Sequence, residues 1–208
     1  EYEIADIIYR KKVDVLVDSS GLTRTNNLGV FKLRPSNNQV SWAGWLASTN
    51  LKEMDYVISD NFCTQKKDEK FFSEKILRMK NIWCTYSLSV LENLNLKKEN
   101  NSEPFIIYGC FQRPEKITKK VLSTWLNILI RVKKSKIFFI NQSFNEYEKK
   151  KIIFYFNKNG VSSKRLIFLQ PKNRKEYLNS YNLVDINLDT FPYNGGTTLF
   201  ESTYMGVP

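Results

Sequence analysis

The sequence contains no histidine. No imidazole is therefore available in it as general base, proton shuttle or metal ligand. Cysteine is scarce as well: Cys63, Cys84 and Cys110 are widely spaced and form no C-x-x-C pair. An odd count speaks against a disulfide framework, and without histidine no metal site is expected. This usage fits a reducing, cytoplasmic compartment. Long apolar runs are missing too. Nothing approaches the length needed to cross a bilayer and no signal-peptide pattern stands at Glu1, so the chain reads as soluble, with no membrane partner expected. Neither G-x-x-x-x-G-K-[ST] nor G-x-G-x-x-G occurs, which removes the P-loop and dinucleotide fingerprints. No internal repeat is visible at a period of roughly 20 to 50 residues.

What is present is a globular composition, 42% hydrophobic and 14% aromatic over 208 residues, enough for one large or two small domains. The net charge is +11. Such a charge permits nucleic-acid binding, but the lysines fall in small groups (Lys11-Lys12, Lys66-Lys67, Lys97-Lys98, Lys133-Lys134, Lys149 to Lys151) rather than one stripe. Solvated surface is the preferred reading, and a nucleic-acid partner is not expected. The chain opens without methionine and stops at Gly206-Val207-Pro208, where a helix should hand over to a strand, so a longer polypeptide is expected.

Residues 3–11 space Ile4, Ile7 and Ile8 as a helix, and Val13 to Val17 read as a buried strand closed by turn chemistry at Asp18-Ser19-Ser20-Gly21. Arg34, before Pro35, should be extended. Gln39 to Trp45 and Met54 to Asp60 are further strand candidates, and Trp42 and Trp45 are read as packing residues. Phe71 to Met79 should begin as a short helix and become extended. Glu92 to Pro104 is polar, charged and ends in proline, marking the expected linker between a first domain, residues 1–98, and a second, residues 104–208.

Beyond it the alternation is regular. Strands are expected at Phe105 to Cys110, Lys136 to Ile140, Arg165 to Leu169 and Val184 to Leu188. Helices are expected at Thr118 to Val132, Asn145 to Asn159 (stopped by Gly160), Arg174 to Tyr181 and Thr197 to about Met205. The first of these helices should bury Val121, Leu122, Trp125, Ile128, Leu129 and Val132. Strands alternating with helices predict a parallel sheet with ligands beyond the strands' carboxyl ends. The loops at Cys110 to Lys116, Gln170 to Arg174 and Asp189 to Thr198 should then line one cleft.

The most informative stretch is DTFPYNGGTTLFESTYMGVP, Asp189 to Pro208. Gly195 and Gly196 let backbone approach a ligand, and the helix start behind them offers N–H groups and a positive dipole end for an anion. Thr197 and Thr198 add hydroxyls, and Glu201 lies one turn on, placed to accept from a sugar hydroxyl. The same pattern also suits an ordinary strand-to-helix turn with threonine as N-cap.

Taken in order, VDVLVDSSGLTR (13–24), GVFKLRPSNNQVSWAG (29–44), MDYVISD (54–60), FFSEKILRM (71–79), FQRPEKITKKVLSTWLNIL (111–129), RLIFL with its loop (165–174) and the 189–208 stretch resemble the protein O-GlcNAc transferase family, including its SPINDLY-like and bacterial members. The resemblance implies an α/β GT-B architecture, two Rossmann-like lobes on mainly parallel sheets, each only in part within these residues. It implies an inverting, metal-independent glycosyltransferase with UDP-GlcNAc or another nucleotide sugar as donor, a protein or peptide hydroxyl as acceptor, tetratricopeptide repeats upstream and no further cofactor. Lys116 matches the family's essential lysine on the diphosphate, Thr197 and Thr198 its phosphate-binding threonines, and Glu201 its acidic ribose ligand. Arg174 and Tyr177 fall at nucleobase-pocket positions, with Asn194, Gly195 and Gly196 in the donor-binding loop. Departures stand at Leu22, at Gly44-Trp45-Leu46-Ala47 on the acceptor side, and at Gln112-Arg113-Pro114-Glu115. The family's catalytic histidines lie upstream of these residues, so this segment by itself is expected to be inactive. A fold-retaining binding module that has lost the chemistry is the rival reading.

Overall fold

The computed structural model describes residues 1–23, 25–87 and 104–208. The chain divides into two compact units, Glu1–Thr85 and Tyr86–Pro208. Apart from Pro104, the expected linker lies outside the described residues.

In the first unit, α1 (Tyr2–Arg10) leads to β1 (Val15–Asp18), α2 (Leu28–Lys32), β2 (Asn38–Ser41), β3 (Tyr56–Ser59), a 3-10 turn at Lys66–Phe71 and β4 (Lys75–Arg78). The strands form one parallel sheet in the order β1-β2-β3-β4. Asp18 closes β1 as read: its carboxylate accepts the N–H groups of Ser20 at 3.1 Å and Gly21 at 2.8 Å. Four expectations need correction. Strand β1 is not buried: Val15 and Val17 are 51% and 46% exposed, because β1 stands at the edge of the sheet. Arg34 is not extended but left-handed, with φ at 50°. It follows the end of α2, where its N–H reaches the Phe31 carbonyl at 3.0 Å, and helix termination overrides the preference imposed by Pro35. Its guanidinium is anchored on Asp55 at 2.8 Å and on the Glu53 carbonyl at 2.7 Å. The helical turn near Phe71 ends there instead of starting there, because Glu74 binds the 48–49 segment and holds the chain extended into β4. Strand β2 stops at Ser41, short of Gly44. Trp42, 40% exposed, donates its indole N–H to the Trp83 carbonyl at 2.9 Å.

In the second unit, β5 (Ile106–Cys110) is followed by a 3-10 turn at Pro114–Lys116, α3 (Lys119–Arg131), β6 (Ser135–Ile140), α4 (Glu146–Lys158), β7 (Leu166–Leu169), α5 (Arg174–Asn179), β8 (Ile186–Asn187) and α6 (Thr197–Tyr204). The sheet is parallel throughout, in the order β7-β6-β5-β8, the doubly wound arrangement that alternation predicts. Local chemistry sets the helix boundaries. Thr118 caps α3 by accepting from Val121 N–H, and Asn145 and Glu148 form a reciprocal capping box on α4. Gly160, at φ 81°, takes the left-handed position after α4.

Successive residues of β5 and β6 point to opposite faces. On one side Tyr108, Cys110, Ile137 and Phe139 pack against α3 and α4 through Val121, Trp125, Leu129, Ile152 and Phe156. On the other, Ile107 and Ile140 meet Leu178, Tyr181, Val184 and Met205. Along α3, Leu126 is buried while Ile128 is only partly so, a shift of the apolar stripe by part of a turn. Strand β8 is shorter than the expected 184–188 run, but pairing extends past it: Asp185 N–H reaches the Ile107 carbonyl at 2.8 Å and Leu188 N–H the Gly109 carbonyl at 2.7 Å. Because β5 and β8 are parallel neighbours, the loops that follow them, 111–116 and 189–196, emerge side by side.

Candidate functional site

These two loops meet through one buried amide. Gln112, only 3% exposed, accepts with Oε1 from Lys116 Nζ at 3.1 Å and donates with Nε2 to Thr198 Oγ1 at 2.7 Å. An ammonium has no acceptor, so the amide orientation follows from chemistry: Oε1 must face Lys116. Thr198 then receives a hydrogen bond and keeps its own hydroxyl proton for another acceptor. Lys116 Nζ also donates to the Asn194 carbonyl at 2.9 Å and lies 4.3 Å from the centroid of the Tyr193 ring. Lys116 sits in the 3-10 turn before the Thr118 cap, outside α3, and so escapes the penalty a cation meets at a helix start. Burial lowers the pKa of its ammonium, Asp189 works against that, and Arg113 adds to it. An arriving anion would favour the charged form.

Gly195 is sterically required. A Cβ there would lie 2.3 Å from Gln112 Nε2 and 2.4 Å from Thr198 Oγ1, and its N–H is held by Asp189 Oδ1 at 2.9 Å. Gly196 differs, because a Cβ on it would meet nothing within 4 Å. It is Gly196, not a threonine, that occupies the N-cap of α6, and it offers no capping side chain. The reading of Thr197 or Thr198 as N-cap is thereby corrected: both lie in the first turn, with Thr197 exposed and Thr198 partly buried. No side chain caps the helix N–H groups there.

A second cluster lies one turn along α6. Glu201 is 1% exposed. Its carboxylate accepts from Arg174 Nη2 and from the Tyr86 hydroxyl at 3.1 Å on Oε1, and from the Tyr181 hydroxyl at 3.3 Å on Oε2. Tyr181 shares its single hydroxyl proton with the Thr198 carbonyl at 3.1 Å, which ties the two clusters together. Its ring stacks on Phe111 with centroids 3.7 Å apart. Tyr177 packs edge-on against both Phe111 and Tyr181, and the Arg174 guanidinium lies 5.4 Å from its ring centroid. Burial raises the phenol pKa values of Tyr177 and Tyr181, so both stay neutral hydrogen-bonding groups. Cys110, beneath the site, is fully buried, and burial lifts its thiol to about 12, which makes it inert.

The structure therefore gathers Lys116, Asn194, Gly195 and Thr198 in one group and Arg174, Tyr177 and Glu201 in the other, with Gly196 and Thr197 at the exposed helix start. Sequence reasoning named Gln112 only as a departure and did not assign Asp189, Tyr86 or Tyr181. Gln112 stands four residues before Lys116, a legible spacing. Tyr86, 115 positions from Glu201, left no local signal.

The model of glycosyl transferase family 41 matches residues 1–94 and 89–208. A protein of Arabidopsis thaliana named as probable UDP-N-acetylglucosamine--peptide N-acetylglucosaminyltransferase SPINDLY is 33% identical over 210 residues, covering 100% of this chain and 23% of that protein. Its namesake in Hordeum vulgare is likewise 33% identical, with 100% and 22% covered. The chain thus spans less than a quarter of the length of these relatives. Among solved structures, a mutant of the Thermobaculum terrenum O-GlcNAc transferase superposes with a TM-score of 0.90 at 28% identity, covering 100% of this chain and 39% of that one. The fold class is therefore that of the GT-B O-GlcNAc transferases, and the chain belongs to glycosyl transferase family 41.

Proposed function

We propose that these residues supply the donor-binding part of a glycosyltransferase that moves a sugar from a nucleoside diphosphate to a hydroxyl of a protein, with UDP-GlcNAc as donor. The observation that carries this is the Gln112 bridge, which fixes the Lys116 ammonium and the Thr198 hydroxyl beside the uncapped start of α6. A cation, hydroxyls and backbone N–H groups converging there suit a diphosphate. As the bond to the sugar breaks, negative charge grows on the leaving diphosphate, and a fixed ammonium stabilises that charge without a metal ion. The named relatives are peptide N-acetylglucosaminyltransferases, which supports the sugar and the protein acceptor. In this reading Asn194, Gly195, Gly196, Thr197 and Thr198 hold the phosphates, Glu201 takes the ribose, and Arg174 and Tyr177 border the base. Attack from the face opposite the leaving group would invert the anomeric centre.

In the full-length protein, Lys116→Ala should lower kcat by about 100- to 1000-fold, the usual loss when a contact to developing charge is removed. Folding should be unaffected, because Lys116 is partly exposed. A steady-state assay with UDP-GlcNAc checks this, and turnover within roughly twofold of wild type would leave Lys116 a surface lysine.

A further inference from the structure

Glu201 is the most enclosed charge of the site, and two of its three donors, Arg174 and Tyr86, separate it from solvent. Tyr181, the third, is fixed by its stack on Phe111. Tyr86 is held differently. Its ring lies parallel to that of Phe200, with centroids 6.1 Å apart, and it opens the second unit on the segment that leads out of Thr85. Its hydroxyl does two things at once: it donates to Glu201 Oε1 at 3.1 Å and accepts from Arg174 Nη2 at 2.8 Å.

We propose that the Tyr86 hydroxyl is an internal stand-in for a ribose hydroxyl, and that a ribonucleotide displaces it. The inference rests on the reading that Glu201 receives the donor's ribose. An alcohol carries one O–H donor and two lone pairs, the same complement as a phenol. A ribose hydroxyl can therefore take over both bonds, giving its proton to Glu201 and its lone pair to Arg174. The exchange leaves no buried group unpaired. A deoxyribose carbon offers neither bond, so Glu201 Oε1 would keep only its bond from Arg174 and one guanidinium N–H would lose its acceptor, which is unfavourable. Tyr86 thus supplies the second donor to Glu201 Oε1 and makes the opening of this cluster selective for a sugar hydroxyl. Burial and the nearby Glu201 charge raise the Tyr86 phenol pKa, consistent with a neutral donor there.

The test is calorimetric titration of the full-length protein and its Tyr86→Phe variant with UDP, 2′-deoxy-UDP and 3′-deoxy-UDP. The variant keeps the ring and its contact with Phe200 but has no hydroxyl to surrender. It should bind UDP about 3- to 10-fold more tightly, the span of one ordinary hydrogen bond, and UDP should raise its melting temperature more than that of the wild type. One of the two deoxy ligands should bind wild type about 3- to 10-fold more weakly than UDP. Unchanged or weaker UDP binding by Tyr86→Phe overturns the stand-in while leaving the donor reading intact, and so do two deoxy ligands that match UDP. Failure of wild type to bind UDP at all overturns the donor reading and this inference with it.

Discussion

Each unit carries a sheet of four parallel strands, in a different strand order, but the two hold it together by different means. In the second unit both faces of the central strands are lined by large apolar side chains, with Trp125, Phe139, Phe144 and Phe156 on one side and Phe111 and Tyr181 on the other. In the first unit the apolar cluster is small, centred on Leu28, Phe31 and Met54. Its buried interior mixes apolar residues, among them Val30, Val40 and Val57, with polar ones: Asp18, Gln39, Ser41, Ser59, Asp60 and Glu74 are all nearly inaccessible. Carboxylates there bind backbone N–H groups of distant loops. Asp60 accepts from Phe62, Cys63 and Trp83, and Glu74 accepts from Thr49 N–H and from the hydroxyls of Thr49 and Ser48. Among the described residues the second unit buries the larger apolar side chains and the first more carboxylates, and they should fail under different stresses.

The largest expected effect is in the apolar unit. Trp125→Ala removes a large side chain that is 2% exposed and should cost about 3–5 kcal/mol, read from denaturant unfolding. A loss below about 1 kcal/mol would mean the helix layer there is not a packed core.

Next comes Glu74→Ala in the polar unit, at about 2–3 kcal/mol, since the Thr49 N–H and hydroxyl lose their shared acceptor. Acid should reproduce it. Burial pushes the Glu74 carboxyl up, but the bonds from Thr49 and Ser48 outweigh it and leave the pKa below the ordinary value. The same balance holds for Asp60, where the N–H groups of Cys63, Trp83 and Phe62 prevail over burial. A carboxyl whose folded pKa is depressed stabilises the fold above its unfolded value, and that contribution is lost as pH falls through the folded value. Between about pH 5 and about pH 2, amide protection relative to the intrinsic exchange rate should therefore fall first in residues 1–85. Equal loss of protection in both units would erase the distinction between them.

The smallest effect separates capping from core. Asn145→Ala abolishes the capping box of α4 and should cost about 1 kcal/mol, seen as faster exchange confined to the first turn of that helix. Global destabilisation by this variant would make the cap part of the core.

The second unit was more legible in the sequence than the first, for the same physical reason. Strands buried on both faces of a parallel sheet read as continuous apolar runs, so IIYGC, SKIFFI and LIFL stand out, and Thr118, Asn145 and Gly160 punctuate the helices between them. In NQVS a buried glutamine and serine look like surface, and α2 lay hidden in a stretch that reads as loop. Helix termination at Arg34 depended on α2 and was therefore missed with it.

At the site, the elements that sit close along the chain were legible from residue order alone: the glycine pair and threonines at the start of α6, Glu201 one turn on, and Lys116 after β5. Backbone geometry fixes those spacings within a few residues. The long-range groups that complete them follow from the packing of the fold. Adjacency of β5 and β8 delivers Gln112 to Thr198 across 86 positions and Lys116 to Asn194 across 78. Packing of α5 and the Tyr86 segment against α6 seals Glu201 with Arg174 and Tyr86. A hydrogen bond requires atoms about 3 Å apart, and no periodicity in a sequence encodes that distance between residues brought together by a fold.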